Sequence, residues 1–300
     1  MNTPSTDVAG RFVPCLNPAT LTGLPLPEFL ALAAGAGFPT VEVSVQQAQA
    51  HGLARLRDLL QELGVRVAAA SGILPAGPIL PAPLLVDPDT YRACLDGLNG
   101  RLEAMATLGC TVATTVLNPR SPLTTTRARA LARERIVQLA TAAAAHGVRL
   151  AVEAVSIRTG LPPGLDGPHP VVDSLPQLAE LLHDTGTGHA GVLVDSFHWA
   201  AAGADPAHIT GLAPGAIAHV QIADIPAGHT ASVTDAQRLF PGDGALPWPA
   251  FTDALTRTGY DGTVSVELFN PALRALPAGE IARLSHHAAT RCFTPAEASR

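Results

Sequence analysis

The chain has 300 residues, 47% of them apolar and 15% charged, with 19 basic and 25 acidic side chains and a formal charge of −6. That profile belongs to a compact soluble enzyme and lies far from the charge-rich, apolar-poor signature of disorder. All 19 basic residues are arginine, which excludes Schiff-base aldolase, pyridoxal phosphate and Walker-type phosphate-loop chemistry, because each needs a lysine amine.

A coding bias toward Ala, Gly, Pro and Arg accounts for the missing lysine, and the exclusions hold whatever its cause. An acidic chain with no arginine stripe argues against a nucleic-acid surface. Cys15, Cys94, Cys110 and Cys292 are scattered, with no CxxC pair or zinc spacing, and read as buried thiols of a reducing compartment. The segment Met1–Arg11 is polar and lacks the basic and apolar regions of a secretory signal; residues 1–10 are expected to be a flexible terminus. No run approaches the roughly eighteen apolar residues of a spanning helix. The expectation is a cytoplasmic protein with no membrane and no nucleic-acid partner.

Along the chain one pattern repeats: a short apolar, β-branched run, a loop, then an Ala/Leu-rich stretch with helical spacing. Eight strands are predicted, at Phe12–Leu16, Thr40–Val45, Val65–Ala70, Thr111–Leu117, Arg149–Val155, Ala190–Asp195, Ala216–Ile222 and Thr263–Leu268. Helices are predicted at Pro27–Ala36, Gly52–Leu63, Pro88–Leu108, Thr124–His146, Leu175–Asp184 and Pro249–Thr256. Five helices run into a glycine just ahead of the next strand, at Gly37, Gly64, Gly109, Gly147 and Gly259. Continuous apolar strands suit a parallel sheet buried on both faces. Eight such units in one chain, with no Gly-rich dinucleotide fingerprint, fit an α/β fold of the (β/α)₈ TIM-barrel type, taken as a single domain over 1–300. The Pro/Gly-rich stretches Leu74–Pro88 and Leu161–Pro170 fall where barrel loops carry function.

In such a barrel the informative residues are polar ones at the C-terminal ends of strands. Glu153, Asp195, Gln221 and Glu267 interrupt the apolar runs of the fifth to eighth predicted strands. An unpaired charge there would cost several kcal/mol. A salt bridge to a barrel arginine is one remedy. A divalent cation held by three carboxylates and an amide oxygen is the other, with Mn²⁺ or Mg²⁺ first and Co²⁺ or Zn²⁺ next.

Leu16-Asn17-Pro18-Ala19-Thr20, Ala36-Gly37-Phe38-Pro39-Thr40-Val41-Glu42, Asp195-Ser196-Phe197-His198, His219-Val220-Gln221-Ile222-Ala223-Asp224, Phe240-Pro241-Gly242-Asp243-Gly244, Gly259-Tyr260-Asp261-Gly262 and Val264-Ser265-Val266-Glu267 together make the sequence recognisable. It resembles the xylose isomerase-like TIM-barrel family of sugar phosphate isomerases and epimerases over most of its length. Gln221, where many relatives carry histidine, resembles hydroxypyruvate isomerases and bacterial 3-dehydroshikimate dehydratases. Arg158 matches the hydroxypyruvate isomerase pattern, although Ala154-Val155-Ser156-Ile157 replaces the Asn-rich stretch of that group. Arg238 before the Pro-Gly-Asp-Gly loop looks more like the dehydratase and inosose-processing branches.

The resemblance implies a metal-dependent isomerase or epimerase of a small ketose, keto acid or cyclic polyol ketone. Glu153 and Glu267 would work from opposite faces of the substrate through an enediolate, one removing a proton and the other returning it. Asp195 and Gln221 would be mainly ligands, and His198 would hydrogen-bond a substrate oxygen or shuttle a proton. Arg238 and Arg158 would bind substrate oxygens, a carboxylate or a phosphate, and Glu42 would contact substrate or support the ligands. Alternation places His219 on the same side of its strand as Gln221, either as a support or as a satisfied core histidine. His169, His229, Trp199 and Trp248 are candidate pocket walls, and His286-His287 is expected to be solvated. A metal-dependent dehydratase, a barrel that only binds a ligand and an abasic-site endonuclease compete with this reading; the charge of −6 disfavours the last. The partner expected is a small hydroxy-ketone, with assembly into a homo-oligomer left open.

Overall fold

The computed structural model describes residues 12–76, 83–228 and 232–293. Eight parallel strands close into a barrel: β1 Val13–Leu16, β2 Thr40–Ser44, β3 Arg66–Ser71, β4 Val112–Leu117, β5 Arg149–Ala154, β6 Ala190–Asp195, β7 Ile217–Ile222 and β8 Thr263–Val266. Each strand pairs with its sequence neighbours and β1 pairs with β8, so the order around the barrel is the order along the chain. All eight predicted strands are present, Ala190–Asp195 with the same bounds and the others with ends moved by at most two residues. They were legible because strands such as Ala190–Asp195 are buried along their whole length, which forces a continuous apolar run. Gly37, Gly64, Gly109, Gly147 and Gly259 all have positive φ, from 66° to 96°, as expected for residues that end a helix before a strand.

The predicted helix Pro88–Leu108 is two helices, Pro88–Leu95 and Leu98–Thr107. Asp96 is extended and Gly97 left-handed between them. The break is stabilised by a buried arginine: Arg101 donates to the carbonyls of Cys94, Asp96 (2.9 Å) and Ile73 (3.0 Å). Such freed helix-end carbonyls need a donor. Arg135 holds the approach to these helices by donating to the Leu84 and Val86 carbonyls, both at 2.7 Å, with its guanidinium 4.0 Å from the Tyr91 ring centre. Part of the Leu74–Pro88 stretch lies outside the described residues, as do the N-terminal segment 1–10 and His229. The Leu161–Pro170 stretch ends in a two-residue strand, His169–Pro170, paired antiparallel with Arg120–Ser121. This clip ties the loop after β5 to the loop after β4.

Helices Val45–His51 and Ser196–Ala201, unpredicted, begin directly at the ends of β2 and β6. Trp199 and Trp248 do not wall a pocket. Trp199 is buried, 5.2 Å from the Phe251 ring, and donates to the Asp205 carbonyl; Trp248 packs between Phe251 and Phe293. His286 is also not fully solvated, because its ring meets the Phe38 edge at 5.0 Å. Cys15, Cys94 and Cys110 are buried free thiols, and Cys292 is a half-buried one. Among the described residues, no helix is long and apolar enough to cross a membrane.

Candidate active site

The C-terminal mouth of the barrel gathers a buried polar cluster from β2 and from β5 to β8. Asp195, the last residue of β6, sits beside Gln221 of β7 in the ladder register. Glu153 lies on β5. Glu267 follows the last residue of β8 and keeps to the sheet through its backbone N–H, 3.1 Å from the Ile222 carbonyl.

Asp195 works in two directions. Its Oδ1 accepts the backbone N–H groups of Phe197 (2.7 Å) and His198 (3.4 Å), capping the helix Ser196–Ala201. Its Oδ2 lies 2.7 Å from Arg238 Nη1. That short helix carries His198 back over the cluster, with Nε2 3.5 Å from Glu153 Oε1. Glu153, Asp195 and His198 each bring one ligand-type atom within 4.8 Å of the others.

Arg238 is 1% exposed although it is an arginine. Besides Asp195 it reaches Asp235 (Nε, 2.9 Å), Glu267 Oε2 (Nη1, 3.5 Å) and His198 Nε2 (Nη2, 3.4 Å). Its guanidinium lies over the Phe197 ring at 4.6 Å and the Phe269 ring at 5.2 Å. Asp235 was not singled out in the sequence, although the Asp-x-x-Arg spacing was its signal. Asn17, quoted only as part of a motif, donates from Nδ2 to Glu267 Oε1 at 2.9 Å.

Gln221 is held by acids on both sides. Its Nε2 donates to Glu267 Oε1 (3.1 Å) and to Glu42 Oε1 and Oε2 (3.2 and 3.4 Å). The ionised Glu42 carboxylate accepts and cannot donate, so the amide nitrogen must face it. The amide oxygen, buried, has no hydrogen-bond partner. His219, two residues earlier, shares that side of β7 and places Nε2 3.0 Å from Glu42 Oε1.

Burial sets the electrostatics. It raises the carboxyl groups of Glu153 and Glu267 well above the usual range, and the neighbouring acids add to this. Burial would raise Glu42 and Asp195 too. His219 and hydrogen bonds from Gln221 outweigh it for Glu42, and Arg238 and His198 outweigh it for Asp195; both stay low. Burial works against the Arg238 charge, yet Asp195, Asp235 and Glu267 hold that group firmly protonated. Burial lowers His198, against the pull of Asp195. The mouth thus pairs two carboxyl groups that favour carrying a proton with two that are ionised.

A cavity of about 360 Å³ opens beside this cluster. Glu42, Gln221, Glu267 and Asn17 form its polar wall, while Leu24, Phe29 and Phe269 line its apolar part. Arg158, in the loop after β5, is solvent-exposed and does not belong to the buried cluster. Asp224 was likewise only part of a motif. It is buried, and its Oδ1 accepts from the N–H groups of Ile225 and Leu246 while Oδ2 accepts from Gly242 N–H and Trp248 Nε1, all at 2.7–2.9 Å. It organises the Pro241-Gly242-Asp243-Gly244 loop that follows Arg238.

Residues 30–289 match the family described as Xylose isomerase-like TIM barrel. The chain is 30% identical to the inosose isomerase of Bacillus velezensis over 200 residues, covering 65% of this chain and 66% of that protein. It is also 30% identical to a putative hydroxypyruvate isomerase of Streptomyces coelicolor over 264 residues, covering 82% of this chain and 86% of the relative. A xylose isomerase domain protein from Alicyclobacillus acidocaldarius superposes with a TM-score of 0.82 at 27% identity, over 94% of this chain and 98% of its own. The match across the closed barrel leaves one conclusion: this chain belongs to the xylose isomerase-like TIM-barrel family.

Proposed function

We propose that the protein is a divalent-metal-dependent isomerase or epimerase of a small hydroxy-ketone, with Glu153 and Glu267 as its acid/base pair. One observation carries the reading: two buried carboxyl groups raised well above the usual carboxyl range share a mouth with an ionised carboxylate and an orphaned amide oxygen. Buried polar atoms are normally satisfied, so Gln221 Oε1 marks a place for a positively charged ligand. The donor set of Glu153, Asp195, Glu267 and the Gln221 oxygen suits a hard, oxygen-seeking cation such as Mn²⁺ or Mg²⁺. These four residues would hold it. Bound there, it would polarise a carbonyl and a neighbouring hydroxyl oxygen and so acidify the C–H beside them.

The chain's own groups account for the proton movements. A carboxyl group whose hold on its proton burial has strengthened is suited both to take a proton and to return it. Asn17 and Gln221 occupy Glu267 Oε1, whereas Oε2 has only the longer 3.5 Å contact with Arg238 Nη1, so Oε2 is the oxygen more open to proton transfer. His198, anchored on the helix that Asp195 caps, would hydrogen-bond a substrate oxygen. Arg238 would stabilise negative charge developing on the substrate while Asp195 and Asp235 fix its position. Relatives named inosose isomerase and hydroxypyruvate isomerase support an isomerisation within this chemistry.

The test is incubation of Mn²⁺-loaded protein in D₂O with ketohexoses, inosose, hydroxypyruvate and 3-dehydroshikimate, followed by mass spectrometry and ultraviolet spectroscopy. Deuterium entering carbon with every oxygen retained is the expected result. Loss of water with a new ultraviolet band would replace the isomerase with a dehydratase. Glu153→Gln and Glu267→Gln variants that exchange at the wild-type rate would overturn the acid/base assignment.

A further inference from the structure

Three hydroxyl side chains stand in a row across the ends of β2, β3 and β4. Ser44 and Ser71 are partners in the ladder. Ala70 pairs with Ala113, so one residue further along the same two strands Thr114 comes level with Ser71. All three line the cavity of about 360 Å³.

Ser44 is committed locally. Its hydroxyl donates to Gln46 Oε1 at 2.9 Å and, at 3.5 Å, accepts the Gln47 N–H as the cap of the helix Val45–His51. The Ser71 and Thr114 hydroxyls have no hydrogen-bond partner among the described residues. Thr114 is only 2% exposed, and the cavity is the open space it faces. Enclosed strand positions such as Ala113 and Val116 show what packs this barrel without stripping water from a hydroxyl. A buried hydroxyl with no protein partner points to a ligand that supplies one.

Position in the barrel says which part of a ligand that is. In the closed order of eight strands, β3 lies across from β7 and β4 across from β8. Gln221 and Glu267, where the proposed chemistry takes place, come from β7 and the end of β8. Ser71 and Thr114 therefore meet the end of the substrate that points away from the reacting carbons. A hydroxyl both donates and accepts, so each can pair with an alcohol in either sense.

We infer that Ser71 and Thr114 form a subsite that reads hydroxyl groups on the part of the substrate remote from its reacting carbons. The inference rests on the proposed function and narrows it. A ketose chain or a polyol ring carries such hydroxyls, whereas a three-carbon keto acid has none to offer. Neither side chain is charged, so the selection is by hydrogen bonding: an analogue without the hydroxyl leaves the protein group unpaired.

The experiment uses the Mn²⁺-loaded full chain and two matched pairs, inosose with 2-hydroxycyclohexanone and fructose with 1-hydroxy-2-hexanone. Each pair shares a carbon skeleton and a hydroxy-ketone unit and differs in the remaining hydroxyls. All four probes are uncharged, so the cation and the acids around it act alike on both members of a pair. Dissociation constants come from calorimetry, independently of turnover. The polyol is expected to bind at least about tenfold more tightly than its match in one pair or both. Thr114→Val and Ser71→Ala should each reduce that preference by about fivefold or more, with denaturation midpoints no lower than that of the wild type.

A preference that survives unchanged in both variants overturns the inference, as does its absence from both pairs in the wild type; either result leaves the isomerase reading standing. A midpoint that falls in both variants also overturns it, by assigning the two hydroxyls to the fold. Failure of all four probes to bind overturns the proposed function, and the inference with it.

Discussion

His219 Nε2 and Glu42 Oε1 lie 3.0 Å apart inside the closed barrel, one on β7 and the other on β2. The pair is buried, and its carboxylate also receives the Gln221 amide. Gln221 could otherwise present either end of its amide to these acids; with Glu42 and Glu267 both accepting from its nitrogen, the oxygen is the end left without a hydrogen-bond partner. For the ligand role proposed for Gln221, residues that orient it in this way should influence affinity by about 10–100-fold.

Glu42→Ala should therefore act on two observables. It strands His219 and frees the Gln221 nitrogen, and breaking a buried pair costs about 3–5 kcal/mol. Denaturant unfolding should show a loss of that size, and Mn²⁺ affinity by calorimetry should fall at least tenfold. In a Gln221→Ala background the same change should leave Mn²⁺ affinity within about twofold, because the residue through which Glu42 acts is gone. An equal loss of affinity in both backgrounds would mean that Glu42 does not work through Gln221.

Asp224→Asn tests the loop that follows Arg238. The carboxylate accepts four hydrogen bonds, from Ile225, Gly242, Leu246 and Trp248, and asparagine turns an NH₂ group toward two of those donors. Losing two bonds to a charged acceptor costs about 3 kcal/mol or more. Hydrogen exchange should accelerate at Gly242 and Leu246, and Trp248 fluorescence should shift to the red as its indole loses its partner. Unchanged exchange at those amides would count against this role.

These two acids also mark how far the sequence could be read. The strands were legible because burial on both faces leaves an unbroken apolar run, and the acids at their ends stood out against it. Glu42 and His219 were visible as residues, and period-two alternation placed His219 with Gln221. That they meet from opposite sides of the barrel depends on its closure, which no local pattern records. Asp224 was hidden for the same reason, since its partners lie up to 24 positions away. Trp248 follows Pro247 and resembles a loop aromatic, yet the fold turns it toward Phe251 and Phe293. The helix break at Gly97 was missed although Asp96-Gly97 is a turn dipeptide, because Arg101, which stabilises it from the next turn, reads as an ordinary surface residue.

The lack of lysine simplifies the alkaline limb of stability. Burial raises Cys110 from 9.0 to about 12, Cys292 from 9.0 to about 12 and Tyr91 from 10.0 to about 12. Folded values above unfolded ones mean that the unfolded chain releases these protons first. Their contribution is complete below about pH 9 and is lost progressively as pH rises to about 12. The melting temperature should therefore decline from pH 9 upward, and Cys110→Ala should make that decline shallower. A decline of equal slope in the variant would remove Cys110 from the account. Native protein at pH 8 should also leave Cys110 unlabelled by iodoacetamide, while denatured protein reacts fully.

Arg238→Met asks what balances the buried acids. The substitution keeps apolar contact with Phe197 and Phe269 but removes the cation that lies 2.7 Å from Asp195 and 3.5 Å from Glu267. An uncompensated buried charge costs about 3–5 kcal/mol, so the variant in chelator should lose stability on that scale. A bound divalent cation supplies positive charge to the same carboxylates, and ligand at a hundredfold above its Kd stabilises by about 2.7 kcal/mol. Saturating Mn²⁺ should therefore raise the melting temperature of both proteins and restore a large part of what the variant lost. Turnover should stay at least about 100-fold down even when metal is saturating, because charge stabilisation at the substrate is a separate duty proposed for the guanidinium. A variant as stable as wild type in chelator would mean that Asp195 and Glu267 need no counter-charge. A variant with full turnover would take Arg238 out of the reaction and leave it only the task of holding the mouth of the barrel together.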